Sequence, residues 1–225
     1  MKTPFFTCVS AIISKDLRAE IRARELISVM ALFALLSILV FSFALELDRE
    51  AREEAVSGVL WVTLIFASTL GFNRSMAQER DHGNLDALLL APVSRAAIFV
   101  GKLLGNFIFT LIVGLAMLPL MTALYGLALL DGWIIVTTAL GIFGFATIGT
   151  LLATMTVQTR AREALLPIAL LPIALPFLLT AVRATKGILS GAPAAEWQGP
   201  LGMLAAVTVI YLALCLLLYE YVLEE

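Results

Sequence analysis

Charge is scarce in this sequence. Asp, Glu, Lys and Arg make up 14% of its 225 residues, where an ordinary soluble domain carries about a quarter. Histidine is scarcer still: His82 stands alone, in a polar stretch, and reads as a solvated loop residue. One imidazole excludes a bis-histidine haem site within a single copy and a buried nucleophile–histidine–acid set. The two cysteines, Cys8 and Cys215, lie near opposite ends of the chain and are expected as free thiols rather than a bridge. No Gly-x-x-x-x-Gly-Lys-Ser/Thr phosphate loop occurs, so this chain should not itself bind ATP. No ionisable residue falls deep within a long apolar run, which argues against an ion-coupled transporter, since those need buried relays. The net charge of −2 comes without a basic patch, so no nucleic-acid partner is expected.

What the chain has in excess is apolar surface. It is 61% hydrophobic with a mean hydropathy of +1.00. Six runs are free of charge and long enough to cross a hydrocarbon layer of roughly 30 Å. They fall at residues 26–45, 56–72, 103–124, 133–157, 164–182 and 201–219. The expected architecture is therefore all-α, a single polytopic transmembrane domain over residues 1–225. Residues 5–25 precede the first run and carry a helical pattern. Ile13, Leu17 and Ile21 make one row, and Lys15, Arg18 and Arg22 another, as in an amphipathic helix lying in the membrane interface. A cleaved signal peptide is not expected, because the charged lead and the run after it are both too long.

Between the spans the chain turns polar. Residues 46–54 hold five acids against Arg49 and Arg52, and residues 183–200 form a Gly/Pro-containing loop. The third span is expected to fray through Tyr125-Gly126 to a turn at Asp131-Gly132. Lys and Arg concentrate on cytoplasmic segments of membrane proteins. An inside N-terminus puts eleven of them inside and four outside, which places both termini and residues 73–100 in the cytoplasm. Trp61, Trp133 and Trp197 fall near the outer ends, as interfacial aromatics do.

Small residues and prolines mark the helix contacts. Gly101 and Gly105 have the four-residue spacing that lets helices approach closely, and Gly141, Gly144 and Gly149 mark the fourth span as densely packed. Pro167, Pro172 and Pro176 each remove a backbone donor from the fifth span, making them candidate hinges.

One polar segment stands out, the cytoplasmic loop 73–100. It contains Glu79-Arg80-Asp81-His82-Gly83-Asn84-Leu85-Asp86-Ala87-Leu88-Leu89-Leu90-Ala91-Pro92. Gly83 permits a turn, Asn84 is placed as an N-cap, and Asp86 sits in the first turn, where the helix dipole favours an acid. Pro92 stops this short helix, and Ser94 can cap the next one. An amphipathic helix at a membrane surface suits a groove on a soluble partner. Its docking residues are Glu79, Arg80, Asp81, Gly83, Asn84, Leu85, Asp86, Leu88 and Leu89. Arg160 and Arg162, in the turn 158–163, form a second candidate contact on the same side. A helical body with a handle and no engine points to a non-enzymatic permease subunit driven by a separate ATPase.

These residues carry a resemblance. Lys15-Asp16-Leu17-Arg18, Arg22-Ala23-Arg24-Glu25, Gly58-Val59-Leu60-Trp61-Val62, the 79–92 segment, Lys102 and Leu171-Pro172 with Pro176 resemble the cytochrome c maturation protein B (CcmB) family. That family supplies the permease of a haem-handling ABC transporter in the bacterial inner membrane. The resemblance implies six spans of the ABC exporter permease type, an interfacial N-terminal helix, and pairing of two copies with two ATPase subunits (CcmA). It also implies a haem-handling membrane partner (CcmC), a small subunit (CcmD) and a periplasmic haem chaperone (CcmE). ATP would then be bound by the ATPase and haem by the partners, with no cofactor or metal held by this chain. The permease would couple ATP hydrolysis to release of the haem-loaded chaperone. Two alternatives stand beside it: an ABC exporter domain moving another amphiphile such as a lipid, polysaccharide or drug, and a membrane scaffold with no ATPase.

Overall fold

In hydrocarbon there is no water to satisfy the backbone, so a spanning apolar run must bond its own N–H and C=O groups as a helix. The computed structural model describes residues 4–44, 49–81, 93–156 and 162–222, and among them the regular structure is seven α-helices and no strand. They are α1 (Phe5–Ala23), α2 (Glu25–Ala44), α3 (Arg49–Asp81), α4 (Arg95–Tyr125), α5 (Gly132–Thr156), α6 (Arg162–Leu189) and α7 (Ala194–Val222). Six of them, α2 to α7, are long and apolar enough to cross a membrane. The protein is an all-α polytopic membrane protein. An even number of crossings returns the end of α7 to the side on which α2 begins.

Each expected span is present, but the helices outrun their apolar cores. The acidic stretch 46–54, expected as a loop, is helical from Arg49 onward. The loop expected over 73–100 shortens at both ends, because 73–81 continues α3 and Arg95 opens α4. Likewise the loop expected over 183–200 reduces to Ser190–Pro193: Arg183 and Lys186 lie on α6, and Pro200 lies inside α7. Polar residues end a hydrophobic run without ending a helix, since a formed helix propagates readily and ion pairs can support its wet ends. Lys186 of α6 reaches Glu54 of α3 at 3.1 Å in this way.

Local signals hold at several helix ends. Ser94 Oγ accepts from the Ala97 N–H at 3.3 Å and caps α4. Gly126 ends α4 in the left-handed region at φ 69°, with its N–H on the Thr122 carbonyl. Asp131 accepts from the Trp133 N–H at 2.8 Å and starts α5.

The centre of the bundle is α5, which packs on α3, α4, α6 and α7. Its glycines make slots for aromatics from its neighbours. A Cβ on Gly141 would overlap the Trp61 ring, one on Gly149 would overlap Phe72, and Gly144 faces Phe177 and Thr208. The fourth span is the densely packed helix that its small residues indicate. Trp61 differs from the sequence expectation. It is 1% exposed, and its indole N–H donates to Thr185 Oγ1 at 2.9 Å, so it is a core residue and not an interfacial one. Trp133 and Trp197 do meet at one end of the bundle, with ring centroids 5.1 Å apart. Cys8 and Cys215 are both free and buried.

The fifth span's three prolines, Pro167, Pro172 and Pro176, sit inside an unbroken α6. Side-chain hydroxyls add bonds to carbonyls along this helix. The Tyr211 hydroxyl of α7 donates to the Ile173 carbonyl at 3.0 Å, and Thr180 Oγ1 donates to the Phe177 carbonyl at 2.8 Å.

Candidate functional site

The helix α1 is not among those long and apolar enough to cross a membrane. It ends at Arg24, whose φ of 56° is left-handed and whose N–H bonds the Glu20 carbonyl at 2.7 Å. A single residue therefore separates α1 from α2, and the chain turns sharply there. The turn is fastened from inside. Glu20 is 5% exposed, and its carboxylate accepts from the Ile27 N–H at 2.8 Å and the Leu26 N–H at 3.3 Å. An acid placed on the first free N–H groups of a helix both satisfies them and complements the dipole. On the first turn of α2, Glu25 pairs with Arg74 of α3 and accepts from Gln78 at 3.3 Å.

Beyond this elbow, α1 lies along the first half of α4. Cys8, Val9 and Ile12 turn inward, whereas Ile21 of the expected apolar row is 71% exposed. The small pair Gly101 and Gly105 explains the fit: a Cβ on Gly101 would stand 2.9 Å from Ile12, and one on Gly105 would stand 3.4 Å from Asp16.

This close approach brings four charges together. Lys102 of α4, with its side chain 2% exposed, reaches Asp16 of α1 at 2.9 Å and Glu79 of α3 at 2.7 Å. Lys15 of α1 reaches Glu79 at 2.6 Å and Asp16 at 3.3 Å. Two lysines and two carboxylates leave the cluster with no net charge. Buried ions are tolerated only when paired and hydrogen-bonded; Lys102 and Glu79 are buried and paired in this way, Asp16 is largely buried and paired, while the Lys15 side chain is 39% exposed. Burial lowers the Lys15 pKa, but the hydrogen bond to Glu79 and the field of Asp16 outweigh it, so the ammonium is held above the ordinary lysine range. Beside the cluster a cavity of about 480 Å³ opens between α1, α3 and α4, with Arg18, Arg22 and Gln78 among its lining residues.

In the chain, Glu79 and Lys102 flank the segment 82–92. Their ion pair draws the end of α3 and the first part of α4 together, and α1 is bonded across both. The base of that segment is thus a closed, three-helix clamp.

The structure redistributes the docking residues expected from sequence. Glu79 is not presented outward: it is 7% exposed and belongs to the clamp. Arg80 is exposed at the end of α3, and Asp81 is that helix's last residue. Gly83, Asn84, Leu85, Asp86, Leu88 and Leu89, and the short helix expected there, lie outside the described residues, as does Arg160. Arg162 opens α6. The clamp was missed from sequence. Lys102, directly after Gly101 at the mouth of an apolar run, is the one signal that could have suggested it.

Comparison with known proteins supplies a wider frame. A family model described as CcmB protein matches residues 7–220. The chain is 30% identical over 205 residues to Heme exporter protein B of Rhodobacter capsulatus, covering 91% of this chain and 93% of that protein. It is 28% identical over 211 residues to the protein of that name from Paracoccus denitrificans, covering 92% and 94%. With the Pseudomonas aeruginosa protein the identity is 25% over 194 residues, covering 86% and 85%.

Proposed function

The chain belongs to the CcmB protein family, and from that premise we propose that it is the membrane subunit of a haem exporter acting in cytochrome c maturation. It sits in the bacterial inner membrane with both termini in the cytoplasm. It is driven by a separate ATPase and passes that motion to haem-handling partners, so that the haem-loaded chaperone is released. Two copies pair with two ATPase subunits.

The observation that carries this reading is the clamp. A segment that receives force from a soluble partner is useful only if its base cannot flex independently of the spans. Here the 2.7 Å Glu79–Lys102 pair closes that base, and Asp16 and Lys15 tie it to α1. A displacement at 82–92 then moves α1, α3 and α4 as a unit, and α1 carries it through the one-residue elbow into α2. In this reading Leu85 and Leu88 are the apolar anchors of the docking segment, with Leu89 beside them, Gly83 at its turn and Arg80, Asp81, Asn84 and Asp86 as its polar residues, while Arg160 and Arg162 make a second, smaller contact.

The test is a variant with Leu85→Glu and Leu88→Glu. It should insert normally but lose the ATPase subunit on purification in mild detergent, and it should stop release of haem-loaded chaperone. A well-expressed variant that keeps both would refute the docking role. An apolar groove of about 280 Å³ between α2 and α4, lined by Ile27, Ala34, Val113 and Met117 among others, favours a second reading, an exporter of another amphiphile. That reading requires an amphiphile, in place of the haem partners, to stimulate ATP hydrolysis.

A further inference from the structure

Charge in the cavity beside the clamp is unevenly committed. Its wall holds three acids and three bases. All three acids are engaged: Asp16 and Glu79 on the clamp lysines, and Glu20 on the N–H groups that open α2. Lys15 is engaged in the same clamp. Arg18 and Arg22 are not. They stand one helical turn apart on the exposed side of α1, and neither has an ion pair or a side-chain hydrogen bond among the described residues. The α3 wall adds an independent sign of a ligand. Ser75 lies there, 8% exposed, and its hydroxyl makes no hydrogen bond among the described residues. It does not take the carbonyl one turn back, as Ser68 and Thr69 of the same helix do. Unlike Glu79 Oε2, the Ser75 oxygen is not closed to solvent. Buried hydroxyls as a rule have a partner, and this one borders a cavity where a bound group would supply it.

We propose that this cavity binds a phosphate ester, its oxygens held by the guanidiniums of Arg18 and Arg22 and by the Ser75 hydroxyl. Each guanidinium is a rigid fork of N–H donors that matches phosphate oxygens. One fork uses up both oxygens of a carboxylate, whereas a phosphate has oxygens enough for two forks and a hydroxyl. The volume of about 480 Å³ lies within the roughly 300–1,000 Å³ of small-molecule sites, which leaves room for the organic part of the ester against Ala19, Ala23 and Leu26. The ester is either the head group of an anionic glycerophospholipid or a soluble organic phosphate, and both would make the same contacts. The site does not depend on the docking reading above: it requires neither the segment 82–92 nor an ATPase.

The experiment uses the full chain in nanodiscs and has two arms. In discs of phosphatidylcholine alone, sn-glycerol 3-phosphate is titrated by calorimetry. In discs of equimolar phosphatidylcholine and phosphatidylglycerol, retained lipid is counted by native mass spectrometry; phosphatidylcholine is the neutral reference, because its trimethylammonium balances its phosphate. The site predicts binding in at least one arm: saturation by glycerol phosphate for a soluble ester, preferential phosphatidylglycerol for a lipid. Arg18→Ala with Arg22→Ala, both outside the clamp, should weaken that binding roughly 100-fold, at about tenfold for each charge-assisted hydrogen bond lost. Ser75→Ala should weaken it roughly threefold to tenfold; it changes no charge, so a loose attraction of anions to α1 would not register it. Both variants should keep the thermal midpoint of the unliganded protein. No binding in either arm, or binding indifferent to the arginine pair or to Ser75, would overturn the site and leave a crevice holding water only.

Discussion

Removing one charge from the clamp should do more damage than removing two. With Lys102→Met, Asp16 and Glu79 face Lys15 alone, leaving one uncompensated negative charge among buried groups. With Glu79→Met, the two lysines face Asp16 alone, leaving one uncompensated positive charge. Stranding a buried charge by deleting its partner costs about 3–5 kcal/mol, whereas replacing a whole buried pair with apolar side chains is often neutral. The double variant Glu79→Met/Lys102→Met restores balance, because Lys15 and Asp16 still meet at 3.3 Å. It should therefore be destabilised by less than either single variant, with a coupling of several kcal/mol favouring the double change. The assay is reversible unfolding of the purified subunit in mixed micelles, run on all four proteins of the cycle. Additive single effects, or single losses below about 1 kcal/mol, the scale of an exposed pair, would show that these charges are solvated in the membrane and clamp nothing.

Three further outcomes follow from the packing. Gly141→Ala drives a methyl into the Trp61 ring; overpacking of this kind costs about 1–3 kcal/mol, and Trp61→Leu in the same chain should recover part of the lost thermal midpoint. Glu20→Ala frees the Leu26 and Ile27 N–H groups; by the scale of a lost cap it should cost about 1–2 kcal/mol, and hydrogen exchange should speed first at residues 24–28. Lys15 has a raised pKa, so its stabilising contribution is complete below the ordinary lysine value and is lost only as pH rises through the elevated one. Thermal midpoints should show no loss from this group until beyond about pH 10, and Lys15→Met should flatten the alkaline fall.

The spans were legible because hydrocarbon imposes length and composition directly on sequence. Leu26–Leu45 and the glycine-studded fourth run could hardly be anything else, and Ser94, Gly126 and Asp131 mark their helix ends by local chemistry alone. The helix extensions were not legible. Arg49–Glu54, Asn73–Asp81 and Arg183–Leu189 contain the charges that a hydropathy reading uses to end a span, although the same charges support a helix in water. The clamp was less legible still. Lys15 meets Glu79 across 64 positions, and Asp16 meets Lys102 across 86. Nothing in a single sequence pairs residues that far apart. Glu79 reads as a solvated docking residue of the cytoplasmic loop for that reason: an acid beside Arg80 and Asp81 looks exposed until the lysine that buries it is known.

The elbow at Arg24 and the charges it positions also set an order of events during synthesis. Asp16 leaves the ribosome 86 residues ahead of Lys102, an interval of roughly 4–17 s at common elongation rates. Throughout that interval the acid has no buried lysine to meet on α4, so the leading helix must wait undocked while the first two crossings enter the bilayer. Docking of α1 is therefore late relative to its own synthesis: it waits until the third crossing arrives and recruits a segment made long before.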